Sequence, residues 1–199
     1  MTHTDLLEAV WESVPPGAVP ERFAERRDWL LERVGAGAAV LDLGCGEGLF
    51  ASALTDQGAR VVAVDVVAEP LRRAGERDPR LDLRLAPLEG PLPLDDETID
   101  VAWLGETIEH VPDPVGTLHE VRRVLRPQGH LLLSTPDHPP ELLRRLADDP
   151  EAFAEHFDPR ADHLRFFNEV SLRGLVEELG FGDVEIAAED GTLLLCAHW

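Results

Sequence analysis

Apolar positions along this chain recur with two different periods, and the two alternate. The run Ala39-Val40-Leu41-Asp42-Leu43 is strand-sized and ends at glycines, while Leu49 to Thr55 follows helical spacing. Arg60 to Val64 predicts a second strand ending at Asp65, and a helical stretch near Pro70 to Arg77 follows, opening on the proline. Leu81 to Ala86 alternates as a third strand, Pro87 to Glu97 is a Pro-rich loop, and Ile99 to Leu104 is a fourth strand. Val115, Leu118, Val121, Val124 and Leu125 then share one face of a helix over Pro114 to Leu125. Pro127-Gln128-Gly129 stops it ahead of a fifth strand, His130 to Thr135.

Farther along, Glu141 to Ala147 is helical, Asp148 to His163 is polar and predicts a loop or short lid, and Glu169 to Leu179 is a helix closed by Gly180. Val184 to Ala188 and Thr192 to Ala197 are two β runs joined by Glu189-Asp190-Gly191, a hairpin signal. The fold class is therefore α/β: a Rossmann-like, doubly wound, mostly parallel seven-stranded sheet with an antiparallel C-terminal hairpin. Its ligands belong at the carboxyl ends of the strands. Residues 1–37 form an N-terminal helical segment, with Phe23, Arg27, Leu30, Leu31 and Val34 on a helix that packs beside the core or covers the ligand; residues 38–199 form the main domain.

Composition narrows the function. The 199 residues carry 18 Lys+Arg and 39 Asp+Glu, a net charge of −21, which repels phosphate backbones and anionic membranes and makes nucleic acid an unlikely partner. A hydrophobic content of 44% excludes global disorder. The longest apolar runs fall far short of the roughly 20 residues a membrane helix needs, and residues 1–20 lack the order of a secretory signal, so a cytoplasmic location is expected. Cys45 and Cys196 are too few for a disulfide scaffold and read as structural. The arginine pairs 72/73, 122/123 and 144/145 read as solvated helix faces, and Trp11, Phe23, Trp29 and Trp103 as core or lid packing.

The candidate chemistry starts at Gly44-Cys45-Gly46-Glu47-Gly48, between a strand and a helix, where small residues let a ligand approach the backbone. A dinucleotide fingerprint would place its third glycine one position later, where Leu49 stands. Asp65, about 20 positions beyond, ends the second strand where a carboxylate accepts from both ribose hydroxyls.

The stretch Val40 to Gly48 resembles the first motif of class I S-adenosylmethionine-dependent methyltransferases. Asp95 to Val101 (DDETIDV), Glu109 to Pro114 (EHVPDP) and Val124 to Pro136 (VLRPQGHLLLSTP) resemble three further motifs, and the likeness spans roughly residues 38–181. It is nearest to the branch with the ubiquinone-biosynthesis O-methyltransferases. The resemblance implies S-adenosyl-L-methionine as cofactor and a small-molecule acceptor methylated at a hydroxyl oxygen. It implies Gly44, Gly46 and Gly48 beside the methionine portion, Asp65 on the ribose and Asp42 supporting the loop, with Cys45, Val66 and Gly105 also lining the cofactor. The family's adenine-binding Asp is missing. Leu88 takes its place and packs on the ring, leaving Glu89 or a backbone carbonyl to meet the amine. Gln128 stands where glycine is usual, a turn it tolerates if its φ stays negative.

After the fourth strand, Glu106, Glu109 and His110 form an E-x-x-E-H pattern which, if helical, sets all three on one face, with His163 as a fourth candidate. Such donors suit magnesium, manganese or zinc, and the pattern is similar to metal-dependent relatives among the ubiquinone O-methyltransferases and the small-RNA 3′-terminal 2′-O-methyltransferases. Without metal, His110 or His163 is the expected general base, with Glu109 beside it. The alternatives are an RNA 2′-O-methyltransferase, a non-catalytic cofactor-binding module and a nucleotide-dependent reductase. Oligomeric state is not specified by the sequence.

Overall fold

The computed structural model describes residues 3–87 and 90–199. Its seven strands are β1 (Ala39–Leu43), β2 (Arg60–Asp65), β3 (Asp82–Leu85), β4 (Ile99–Gly105), β5 (Leu125–Pro136), β6 (Gly182–Glu189) and β7 (Thr192–His198), in one sheet of order β3-β2-β1-β4-β5-β7-β6. The first five run parallel, and only the pairs β5–β7 and β6–β7 are antiparallel. Helices cover both faces, so the central strands are mostly apolar, and every residue of β1 is buried, Asp42 included.

Side chains leave each strand alternately to the two faces. Leu41, Ala102, Leu104, Leu131 and Leu133 face one core with Leu118 and Val121 of helix α5 (Pro114–Val124) and Leu172 and Val176 of α8 (Glu169–Glu178). Val40, Val101, Trp103 and Leu132 face the other, with Leu30 of α2 (Phe23–Leu31), Phe50 and Leu54 of α3 (Leu49–Asp56) and Leu71 of α4 (Ala68–Arg77). Trp103 is fully buried there, its ring 5.2 Å from Phe50 and 6.2 Å from Trp29. The hairpin turn is Asp190-Gly191, both at positive φ (45° and 83°), which is what a two-residue turn between twisted strands requires.

The N-terminal segment holds two helices, α1 (His3–Ser13) and α2; α2 packs on the core and α1 lies over the carboxyl edge of the sheet. Three expectations are corrected. The polar stretch 148–163 contains α7 (Pro150–His156), started by Asp149, whose carboxylate accepts from the Glu151 and Ala152 amides, and by Pro150 in the first turn. Gln128 takes a positive φ of 67°: its amide donates to the carbonyl of Trp199, and that bond holds the left-handed bend where β5 leaves α5. Nor are all the arginine pairs solvated. Arg122 lies 3.7 Å from the Trp199 ring, and Arg123 donates to the Leu92 and Leu94 carbonyls and pairs with Glu120 and Asp96. No described helix is long and apolar enough to cross a membrane.

Candidate active site

The strand order reverses between β1 and β4, so the loops leaving these neighbours part and open a crevice at their carboxyl ends. The glycine loop enters from β1. Gly44, Gly46 and Gly48 all have positive φ (75°, 52° and 71°), the conformation that carries the chain from strand into α3 with little steric penalty only for glycine. A Cβ on Gly44 would lie 2.4 Å from Thr107 Oγ1, and one on Gly46 would lie 2.9 Å from the Trp11 ring. Cys45 is buried beside them, its thiol pushed well above its ordinary range by burial and the nearby Asp42 and Asp65. Gly105 is small for a packing reason, since a Cβ there would meet the Trp103 indole at 2.6 Å.

Asp65 closes β2 with both oxygens engaged: Oδ2 accepts from the Gly46 amide and Oδ1 from the Val67 amide, each at 2.9 Å. The carboxylate thus holds the glycine loop as well as facing the crevice. Burial raises its pKa, against the pull of these backbone donors. Asp42 lies beneath the loop, fully enclosed, taking a bond from the Ala51 amide in the first turn of α3; burial, then the charge of Asp65, lifts its pKa to about 7.

Two cavities meet here. One, of about 220 Å³, runs from Asp65, Val66 and Ala86 past Thr107 to His110, with Leu7, Val10 and Trp11 of α1 above it. The other, of about 250 Å³, lies between the glycine loop, Phe50, Gly105 and Arg26. Both reach Gly44 and Glu106, and Trp11 and Val14 line both. Trp11, expected as core or lid packing, lies on α1 over the crevice and lines both cavities. Leu88 and Glu89, the expected adenine contacts, lie outside the described residues.

The segment after β4 is a turn, not a helix, and it separates the E-x-x-E-H residues. Glu106, at φ 54°, points to Arg26 at 3.4 Å, so it leaves the expected metal cluster. Glu109, His110 and His163 do converge, with donor atoms within 4.8 Å of one another and the two imidazoles edge to face at 4.7 Å. Glu109 is fully buried; Thr135 Oγ1 donates to its Oε2, and Oε1 has no partner. Burial and then the charge of Glu106 push its pKa to about 8. His110 is lowered chiefly by burial, against the opposing pull of Asp162 at 3.5 Å.

A buried latch also emerges. Glu47 accepts from Arg77 (2.9 Å), Arg73 (3.2 Å) and the Gly17 amide (2.9 Å), while Arg73 also donates to the Trp11 and Val14 carbonyls at the end of α1. Arg26, buried, lies 5.4 Å over the Phe50 ring and donates to Ser134 Oγ. Glu47, Arg73 and Arg26 went unrecognised because their partners are far away in the sequence. Only Glu47, inside the glycine motif, had a local signal.

Asp42 and Glu109 carry a pH prediction. Their folded pKa values, about 7 and about 8, exceed the ordinary carboxyl values of about 4. The folded state holds these protons more tightly, so their contribution to stability is fully present below about pH 4 and is lost as pH rises through those values. The thermal midpoint is expected to fall between about pH 5 and 8, and Asp42→Asn to flatten that fall. Melting curves across that range check it; an identical slope in the variant would contradict the assignment.

This topology around a glycine loop and a strand-end acid defines the class I S-adenosylmethionine-dependent methyltransferase fold. A family model described as "Methyltransferase domain" matches residues 17–186, and the chain belongs to that family. A ubiquinone biosynthesis O-methyltransferase of Xylella fastidiosa (strain M23) is 38% identical over 115 residues, 55% of this chain and 47% of the relative. A probable S-adenosylmethionine-dependent methyltransferase of Mycolicibacterium smegmatis is 33% identical over 185 residues, 88% of this chain and 65% of the relative. The chain thus spans about half to two thirds of the length of these curated relatives. An S-adenosylmethionine dependent methyltransferase from Mesorhizobium loti shares the fold with a TM-score of 0.69 at 19% identity, over 92% of this chain and 99% of the other.

Proposed function

We propose that the chain transfers a methyl group from S-adenosylmethionine to a hydroxyl oxygen of a small, largely apolar molecule. The observation that carries this reading is the pair of cavities meeting at Gly44 and Glu106, with Asp65 at one end and Arg26 at the other. Their chemistry suits the two ends of the cofactor: Asp65 accepts from the ribose hydroxyls, Arg26 faces the carboxylate of the methionine portion, and Glu106 its ammonium. When bound, the cofactor supplies an electrophilic methyl group on a positive sulfonium.

The protein's own part is positioning, exclusion of water and removal of one proton. Leu7, Val10, Trp11 and Val111 line the acceptor side with apolar surface, and His110 is one of the polar groups of the same cavity, with Asp162, Thr117 and Glu120. Its lowered pKa leaves the imidazole neutral near neutral pH, free to take the acceptor's proton. Asp162 beside Nδ1 orients the ring. RNA is disfavoured as acceptor by the net charge of −21, and surface arginines such as Arg72, Arg84 and Arg160 are paired with Glu69, Asp82 and Asp158.

The donor set Glu109, His110 and His163 also fits a divalent cation in ligand type, with Glu109 Oε1 buried and unpartnered. With a cation there, His110 is a ligand and not the base. Transfer of labelled methyl to a panel of phenols and catechols tests both readings. As base, His110 gives a rate that falls as pH drops through a value below about 6.5, and His110→Ala lowers it by roughly 10²–10⁴-fold. Loss of activity on chelation, restored by added cation, assigns His110 to the metal; no transfer to any hydroxyl acceptor overturns the proposal.

A further inference from the structure

At the opposite end of the sheet the antiparallel register sets His130 of β5 against His198 of β7, and Leu132 against Cys196. Residues two apart on a strand share a face, so His130, Cys196 and His198 emerge together on the side packed against α2 and α3. Their donor atoms all lie within 4.8 Å of one another, and the two imidazole centroids are 4.2 Å apart. All three side chains are half-buried, and Cys196 is a free thiol.

We propose that His130, Cys196 and His198 form a binding site for a thiophilic divalent cation, zinc above all, separate from the methyl-transfer crevice. One thiolate at about 2.3 Å and two imidazoles at about 2.0–2.1 Å would stand roughly 3.3–3.6 Å from each other around tetrahedral zinc, a contraction within reach of side-chain rotation. Such a mixed sulfur and nitrogen set prefers zinc over magnesium or calcium, which take oxygen. The fourth position falls to water or to Glu185, directly across from Cys196 on β6.

Burial is the largest influence on the thiol and raises its pKa, Arg33 opposes it, and Glu185 adds to it. Arg33 is held off by its stack 4.1 Å over the Trp29 ring, its bond to the Trp29 carbonyl and its pair with Glu32. On binding, the thiol proton passes to solvent and a sulfur–metal bond forms, with no change of oxidation state. The ion would tie β7 to β5 at His130, which the sheet places between Val101 of β4 and His198 of β7. The carboxyl ends that carry the crevice lie at the other edge, so methyl transfer does not depend on it.

Cobalt(II) is the probe, because a cysteine ligand produces thiolate-to-cobalt charge-transfer absorption that oxygen and nitrogen donors do not. Titration of the full chain is expected to show this band with tetrahedral ligand-field bands, to saturate at a single ion in that environment, and to be reversed by zinc. The charge-transfer band should vanish in Cys196→Ser and persist in His110→Ala, which separates this site from Glu109, His110 and His163. His130→Ala and His198→Ala should each weaken zinc binding by roughly 10- to 100-fold. Melting of the metal-free variants verifies folding, and zinc should raise the midpoint of the parent chain more than that of Cys196→Ser. Absence of the band in the parent chain, its survival in Cys196→Ser, or unchanged affinity in both folded histidine variants would overturn the site.

Discussion

Replacing Glu47 with alanine is expected to lower the unfolding free energy by about 1.5–3 kcal/mol, because a carboxylate that is only 5% exposed loses its charged hydrogen bonds to two arginines. Arg73 and Arg77 point at it from α4; without the acid Arg73 keeps only its pair with Glu69, and Arg77 loses a charged partner. The Gly17 amide loses its acceptor at the same time. Since Arg73 also holds the Trp11 and Val14 carbonyls, the end of α1 should loosen over the crevice. Denaturant unfolding measures the first effect and hydrogen exchange of α1 the second. Glu47→Gln, which keeps an acceptor but no charge, should fall between. A loss below about 1 kcal/mol would mean that water reaches the cluster freely.

The second large effect is at Asp65. On the proposed ribose contact, Asp65→Ala is expected to weaken S-adenosylhomocysteine binding by about 1–3 kcal/mol, roughly 5- to 150-fold, through loss of charged hydrogen bonds. The same change removes the acceptor for the Gly46 and Val67 amides, so stability should drop as well. Asp65→Asn separates the two: one carbonyl oxygen still receives a backbone amide, while recognition of two hydroxyls by a charge is gone. Calorimetric titration on folded variants reads the affinity directly. Unchanged affinity in Asp65→Ala would place the ribose elsewhere.

Much of this fold was legible because it follows from local periodicity. All seven strands were foreseen, most of them to within a residue or two, since each is an apolar run bounded by glycine, proline or an acid. Asp190-Gly191 signalled the antiparallel hairpin, and the glycine loop with Asp65 signalled the crevice, since those residues are chosen by local backbone and strand-end geometry. Helix α7 was equally available in Asp149-Pro150 but was obscured by the surrounding charge.

The sequence by itself determined the α/β architecture, the place of the crevice and the acid at its rim, because strand period, turn chemistry and glycine conformation act over a few residues. Only the tertiary structure decided that Glu106 answers Arg26 and leaves the E-x-x-E-H group, that Arg73 and Glu47 tie α1 to the loop, and that His130 meets Cys196 and His198 across two strands. The physical reason is common to all three. Charge pairing and donor convergence act through space over a few ångströms, and their partners here lie 26 to 80 positions apart along the chain.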